Sequence, residues 1–325
     1  MAKRLLLFIC LLGIFLSPAF SNLRAPWRLD GFVSGSAKNL PISRAVILTG
    51  EEMRVALPDL SGAKPNAAPM IAFIIRYEFE NTLAQQVTLP VRFIAVDILN
   101  PVVTLNDRAL SSEVVEDPGE KGVCLAKIAN HRAAFLPRFY ESFLGNLKQR
   151  AGLDNKPDET WPSGLDPQKL VSIPFRSVFP RSYGAPSGEK DFPAAEFQVA
   201  LNPGKNALVV SYRQRLFIEE RGHGYFASWP DRGVSGFDYL LYPAKTWSLD
   251  KNFRLRIRIE LPDYRRKRFL GSVWIRPQMK SNVPFVEESE EKSRLRIFKA
   301  EFSEIPADIL TFLFWLDKNA VGYLK

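Results

Sequence analysis

Three observations predict a mainly β protein of antiparallel, sandwich-like units, two of them, with an α-helical insertion. Apolar and polar residues alternate over short runs, turn residues recur at close intervals, and a stretch of helical periodicity interrupts the middle of the chain. The 325 residues are 46% hydrophobic and 24% charged, enough apolar material for a core that needs no disulfide or metal staple. The 24 Phe suit sheets packed face to face. Four segments are expected: a signal peptide over 1–21, a β unit over 22–117, a helical connector over 118–170 and a second β unit over 171–325.

The first segment sets the expected compartment. Lys3 and Arg4 form a basic start, Leu5 to Leu16 is a twelve-residue apolar run, and Ser17-Pro18 breaks it. Ala19-Phe20-Ser21 then places small residues at the −3 and −1 positions of a cleavage site before Asn22. Twelve apolar residues are too short to cross ~30 Å of hydrocarbon as a helix. The pattern predicts export, with a periplasmic or extracellular product after cleavage near Ser21 and Asn22. Cys10 would leave with this segment, so Cys124 stands alone and is expected to be a buried, inert thiol.

Residues 44–57 read as two short strands, RAVILTG and EMRVAL. Met70 to Glu80 is a strand with Ile75, Tyr77 and Phe79 on one side and Arg76, Glu78 and Glu80 on the other. Val87, Leu89, Val91 and Phe93 give the next, where Pro90 demands an edge or a bulge. Asn106-Asp107 turns the chain between Val102–Leu105 and Ala109–Val115. After Asp117-Pro118-Gly119 the period becomes helical, with one helix over 123–135 and another from Pro137 to about Arg150, its cations in the last turn. Strands resume at Val171–Val178, Ala195–Leu201, Ala207–Ile218, Phe237–Tyr242, Phe253–Leu261, Ser272–Arg276 and Arg294–Phe302, and Leu310 to Leu316 closes the set.

Most chemistries lack their signatures. There is no CxxC, HExxH, HxH, calcium loop, phosphate-binding glycine loop or GxSxG elbow. The three SxxK matches, at Ser61, Ser187 and Ser289, fall in loop-like stretches without a companion KTG. Histidine is limited to His131 and His223, and His223 sits in a glycine-flanked turn near Tyr225, Trp229 and Asp231. The sequence therefore predicts no catalytic residue, no metal and no cofactor. One enzymatic alternative stays open. Two distant carboxylates could serve sugar hydrolysis, with Trp161, Trp229, Trp247 and Trp274 lining a platform. A cleft holding such a pair among aromatic walls would favour it.

Tyr77-Glu78-Phe79-Glu80-Asn81 followed by Leu89-Pro90-Val91-Arg92-Phe93, and Tyr239 to Trp247 before the long strand ending Leu261-Pro262, resemble an uncharacterised bacterial secreted β-sandwich family. The resemblance implies an exported β-sandwich and carries over no catalytic residue. The helical segment over 118–170 departs from it.

The expected function is a non-enzymatic binding or structural role in the cell envelope. With 44 Lys+Arg against 35 Asp+Glu the chain carries +9. Strand alternation puts Arg254, Arg256 and Arg258 on one face, and likewise Arg213 with Arg215 and Arg294 with Arg296. Arg265, Arg266, Lys267 and Arg268 add a contiguous basic loop. If these faces merge, they would attract an anionic envelope component: acidic polysaccharide, lipid headgroup or acidic protein. Glu287, Glu288, Glu290 and Glu291 are the counterweight. Export and the lack of a reader motif argue against nucleic acid.

Overall fold

The structure, a computed structural model, describes residues 23–24, 45–57, 70–116, 118–135, 141–150, 152, 166–174, 191–215, 217–220, 232–262, 279–290 and 295–317. Among them three sheets form. The largest has eight strands in the order β14 (Val286–Glu290), β15 (Leu295–Phe302), β12 (Ser248–Pro262), β2 (Val46–Ala56), β3 (Met70–Asn81), β9 (Gly204–Arg215), β5 (Leu99–Leu105), β6 (Arg108–Leu110). A second runs β1 (Leu23–Arg24), β4 (Val87–Ile94), β8 (Pro193–Leu201), β7 (Ser112–Glu116). The third runs β10 (Phe217–Glu220), β11 (Arg232–Leu240), β16 (Ile309–Asp317), β13 (Met279–Ser281). Every neighbouring pair is antiparallel except β12 with β2. The protein is mainly β, as its patterning predicts, and strands from both sides of the helical segment share the eight-stranded sheet.

Strict alternation hides one face of that sheet. Ile71, Phe73, Ile75, Tyr77 and Phe79 on β3, with Phe253, Leu255, Ile257 and Ile259 on β12, are buried. Both smaller sheets cover this face. Phe93 of β4 lies 5.2 Å from Tyr212 of β9, Phe237 of β11 meets Phe73 edge-on at 5.3 Å, and Phe312 of β16 meets Phe298 at 5.5 Å. The result is one sandwich layer opposed by two, with a common apolar core.

Several elements differ from their sequence reading. Residues 46–56 are one strand, not two. A bulge between Leu48 and Gly50 reverses the facing parity, so Val46 and Leu48 point inward before it and Glu51, Met53 and Val55 after it. Residues 109–115 form parts of two strands, because the chain leaves the large sheet after Leu110 and joins β8 from Ser112. Residues 171–173 turn instead of extending, following a short helix α3 (Pro167–Leu170) whose N-cap is Asp166. The strand expected over 237–242 ends at Leu240, where a 3-10 helix over Tyr242–Thr246 takes over. Other expectations hold. At Pro90, β4 borders no described strand on its open side, because β1 reaches only Phe93 and Arg92. Asn106 and Asp107 adopt φ of 50° and 63°, the left-handed pair of a tight hairpin.

Helix α1 (Pro118–Phe135) starts at the proline, ahead of the expected 123, because Pro suits the first helical turn, and it buries Cys124, Leu125, Ile128 and Ala129. Polar contacts fix it to the third sheet. His131 Nε2 meets Thr311 Oγ1 at 2.8 Å, and the Thr311 hydroxyl donates to Asp238 Oδ1 at 2.6 Å. Lys127 and Lys245 both donate to Asp308, and Lys127 also lies 4.8 Å from the Tyr242 ring centre. Helix α2 is described over Glu141–Arg150, and the expected start at Pro137 lies outside the described residues, as do all of 136–140.

Candidate functional site

The outward face of the large sheet holds three of the residues the sequence singled out. Arg254, Arg256 and Arg258 project between buried Phe253, Leu255, Ile257 and Ile259 of β12. Two carboxylates serve four guanidiniums. Glu301 of β15 accepts from Arg256 Nε at 3.2 Å and stands 3.5 Å from Arg254 Nε. Glu260 accepts from Arg54 Nη2 at 2.9 Å and from Arg258 Nε at 2.7 Å. Burial alone would raise the Glu260 carboxyl, but both arginines, through hydrogen bonds and charge, hold it below the ordinary range. Across the strands, Lys299, Arg258 and Arg54 form one cationic row, while Arg256 faces Glu301 and Glu52 in the next.

Not every predicted cation joins this face. Strands β2 and β3 separate β9 from β12. Arg213 is exposed there, but Arg215 is buried, its backbone N–H donating to Asp97 at 3.0 Å and its guanidinium 3.6 Å from the same carboxylate. Arg296 is also buried, paired through two nitrogens with Glu287 at 2.6 and 2.9 Å and set against the Phe298 ring. Arg265, Arg266, Lys267, Arg268, Arg294, Glu291, His223 and Trp161, Trp229 and Trp274 lie outside the described residues, as does the whole segment 1–21. Trp247 is a core residue, 4% exposed and 4.7 Å from Phe79.

Beside the arginine rows lies a polar groove of about 580 Å³ that sequence reasoning missed. Its floor is Arg76, Glu78 and Glu80 of β3, and its rims include Thr49, Lys205, Asn106, Asp250 and Asn252. Two irregularities make it. The β2 bulge and a register shift in β12 between Leu249 and Arg254 occur at the same level, so residues 250–253 stand opposite little more than Thr49. Glu78 is flanked in register by Gly50 on β2 and Ala207 on β9, neither of which fills the space beside it. A mid-strand glycine next to a polar run was the available signal.

A second missed feature is internal. The β2 bulge turns Glu51 into the core, where the Tyr239 hydroxyl donates to its Oε1 at 3.0 Å and Tyr77 and Tyr239 hydroxyls meet at 3.3 Å. Glu51 Oε2 has no hydrogen-bond partner among the described residues. Burial pushes the Glu51 carboxyl up to about 7, against a smaller opposing effect of the Tyr239 hydrogen bond. Burial and the neighbouring Glu51 charge also raise both tyrosines well above their ordinary value. Such a carboxyl in an open cleft would suggest catalysis. Here it is sealed between sheets, 3% exposed.

Among the described residues no cluster of His, Cys, Asp and Glu could hold a metal, and no helix is long and apolar enough to cross a membrane. No protein-family model matches the chain, and no curated protein matches it either. Solved structures overlap it partially. A candidate nutrient-binding protein from Legionella pneumophila shares 12% identity over 83% of this chain and 67% of its own, with a TM-score of 0.42. An M1 zinc metallopeptidase from Deinococcus radiodurans shares 8% identity over 83% of this chain and 43% of its own, at 0.31. Yeast LTA4 hydrolase shares 6% over 83% and 29%, at 0.35. The chain spans less than half the length of the last two, and all three scores are below 0.5, too low for the likeness to bear on ligand or chemistry.

Proposed function

We propose that the chain is an exported, non-enzymatic binding protein of the cell envelope whose outward sheet face meets an anionic partner. The N-terminal pattern of basic start, apolar run and small-residue cleavage site supports export. The observation that carries the binding reading is the sharing of two carboxylates, Glu260 and Glu301, among Arg54, Arg254, Arg256 and Arg258. The quartet exceeds its two carboxylates in charge, a surplus that Glu52 beside Arg256 reduces without cancelling, while Lys299 is offset by Glu288. The run Arg265 to Arg268 adds four more cations close by in sequence. Exposed charges of this kind guide association and are screened by salt.

Retention on a polygalacturonate resin and on phosphatidylglycerol vesicles is expected at low salt. It should fall steeply as the Debye length shrinks from about 30 Å at 0.01 M to about 8 Å at 0.15 M. Replacing Arg254 and Arg256 with Ser, together with Arg265, Arg266, Lys267 and Arg268, is expected to weaken retention by about tenfold or more. Arg258 is left in place so that buried Glu260 keeps both its partners. Retention indifferent to salt and to the six substitutions would reject the reading.

A further inference from the structure

We infer that the polar groove beside the arginine rows is a second binding site, and that it takes a neutral, hydroxyl-rich ligand of the saccharide class. The shape is built into the strands. Two register shifts at one level, and Gly50 and Ala207 on either side of Glu78, open about 580 Å³ on the outward sheet face. That volume lies within the ~300–1,000 Å³ range of small-molecule sites.

The lining decides the ligand. Arg76 and Lys205 face Glu78, Glu80 and Asp250, so the groove has one negative charge more than positive, which disfavours an anion. Its cations already have acids beside them. Arg76 Nε donates to Glu78 at 3.2 Å, and Lys205 stands opposite Glu80 in register. An apolar ligand finds nothing to cover, because Phe79 turns its ring to the core and is 2% exposed. What remains is a mixed set of acceptors and donors. Asp250 has one carboxylate oxygen tied to the Asn252 backbone N–H at 2.7 Å and keeps another, while Asn252 offers a side-chain amide. A hydroxyl both donates and accepts, so adjacent hydroxyls on a sugar ring match such a set group for group. The rims are stiff where they matter. Asn106 bonds to Ala207 through its backbone N–H and its side-chain oxygen, and its amide donates to Asn206, a buried residue that also ties together residues 202 and 204.

The test is titration of the full chain with maltose, cellobiose and N,N′-diacetylchitobiose to millimolar concentration, followed by ligand-observed saturation-transfer NMR and calorimetry. Inorganic phosphate and spermidine serve as the anionic and cationic comparators. At least one disaccharide is expected to bind, and both comparators to compete poorly. Asp250→Asn with Glu80→Gln should weaken that binding by about tenfold or more, through lost charged acceptors. Ala207→Leu, which fills the groove and removes no polar group, should do the same. Arg256→Ser should leave sugar binding unchanged while weakening retention on polygalacturonate, which separates this site from the anionic face. Thermal melts check that each variant is folded, and the two near-isosteric variants Asp250→Asn and Glu80→Gln keep the test intact if Ala207→Leu does not fold. Binding of none of the three sugars, binding that survives both kinds of variant, or phosphate displacing the sugar would overturn the inference.

Discussion

Replacing Glu51 with Gln is expected to stabilise the protein at pH 8 by about 3 kcal/mol and to leave it nearly unchanged at pH 4.5. The folded carboxyl titrates near 7 and the unfolded one near the ordinary 4.5. Between those values the folded state holds a proton that the unfolded state has lost. Wild-type stability is therefore fully present below about 4.5 and declines as pH rises toward 7, after which both states are ionised and the curve is flat. Gln cannot ionise, so the decline should vanish in the variant. The acid side is governed by other groups. Glu260 and Asp308 each feel burial, which would raise them, but their Arg and Lys partners hold both below ordinary values. Their contribution is lost as pH falls below 4.5, outside the Glu51 window. Urea unfolding from pH 4.5 to 8.5 checks the claim, and parallel curves for the two proteins would refute it.

Gly122→Ala is expected to destabilise by up to about 3 kcal/mol, near the top of the range for overpacking. A Cβ at Gly122 would lie 2.2 Å from the backbone oxygen of Pro167. Its neighbour there is main chain, which cannot rotate away, so helices α1 and α3 must separate. A loss of several degrees in melting temperature is expected for a chain of this size. Gly145→Ala, which meets nothing within 4 Å on helix α2, is the matched comparison and should be neutral or slightly stabilising. Equal melts for the two variants would show that the α1–α3 contact contributes little.

Patterning made β3 and the Phe253–Leu261 part of β12 legible because each obeys one rule over that length, whereas the first turn of helix α1, from Pro118, lies outside the expected 123–135. Phe253 to Leu261 alternates without interruption, and the structure buries it accordingly. The rule failed where the backbone changes parity. Residues 46–56 look like two strands because Gly50 interrupts the alternation, yet the chain passes through as one, and the same interruption carries Glu51 into the core. Residues 109–115 were ambiguous for another reason, since a local pattern does not say which sheet a strand joins. The arginine face was readable within β12, where spacing fixes direction. It was not readable between strands, because which strand lies beside which depends on pairings far apart in sequence. Arg215 and Arg296 show the cost: each has the spacing of a surface cation but is buried, Arg215 beside the buried Asp97 and Arg296 reaching out to the exposed Glu287, both acids from other elements.

The parallel pairing of β2 with β12 has a consequence for how the molecule assembles. These strands adjoin in the middle of the eight-stranded sheet, yet the helical segment and five strands of other sheets lie between them along the chain. Until residues up to about 262 have left the ribosome, the β2–β3 pair presents an open backbone edge and one greasy side to the surroundings. Contacts of such long sequence separation also slow folding, because the loop must close before the pairing rewards it. An unfinished chain is thus most exposed to wrong partners along β2, where strand-to-strand capture by another copy would compete with the arrival of β12.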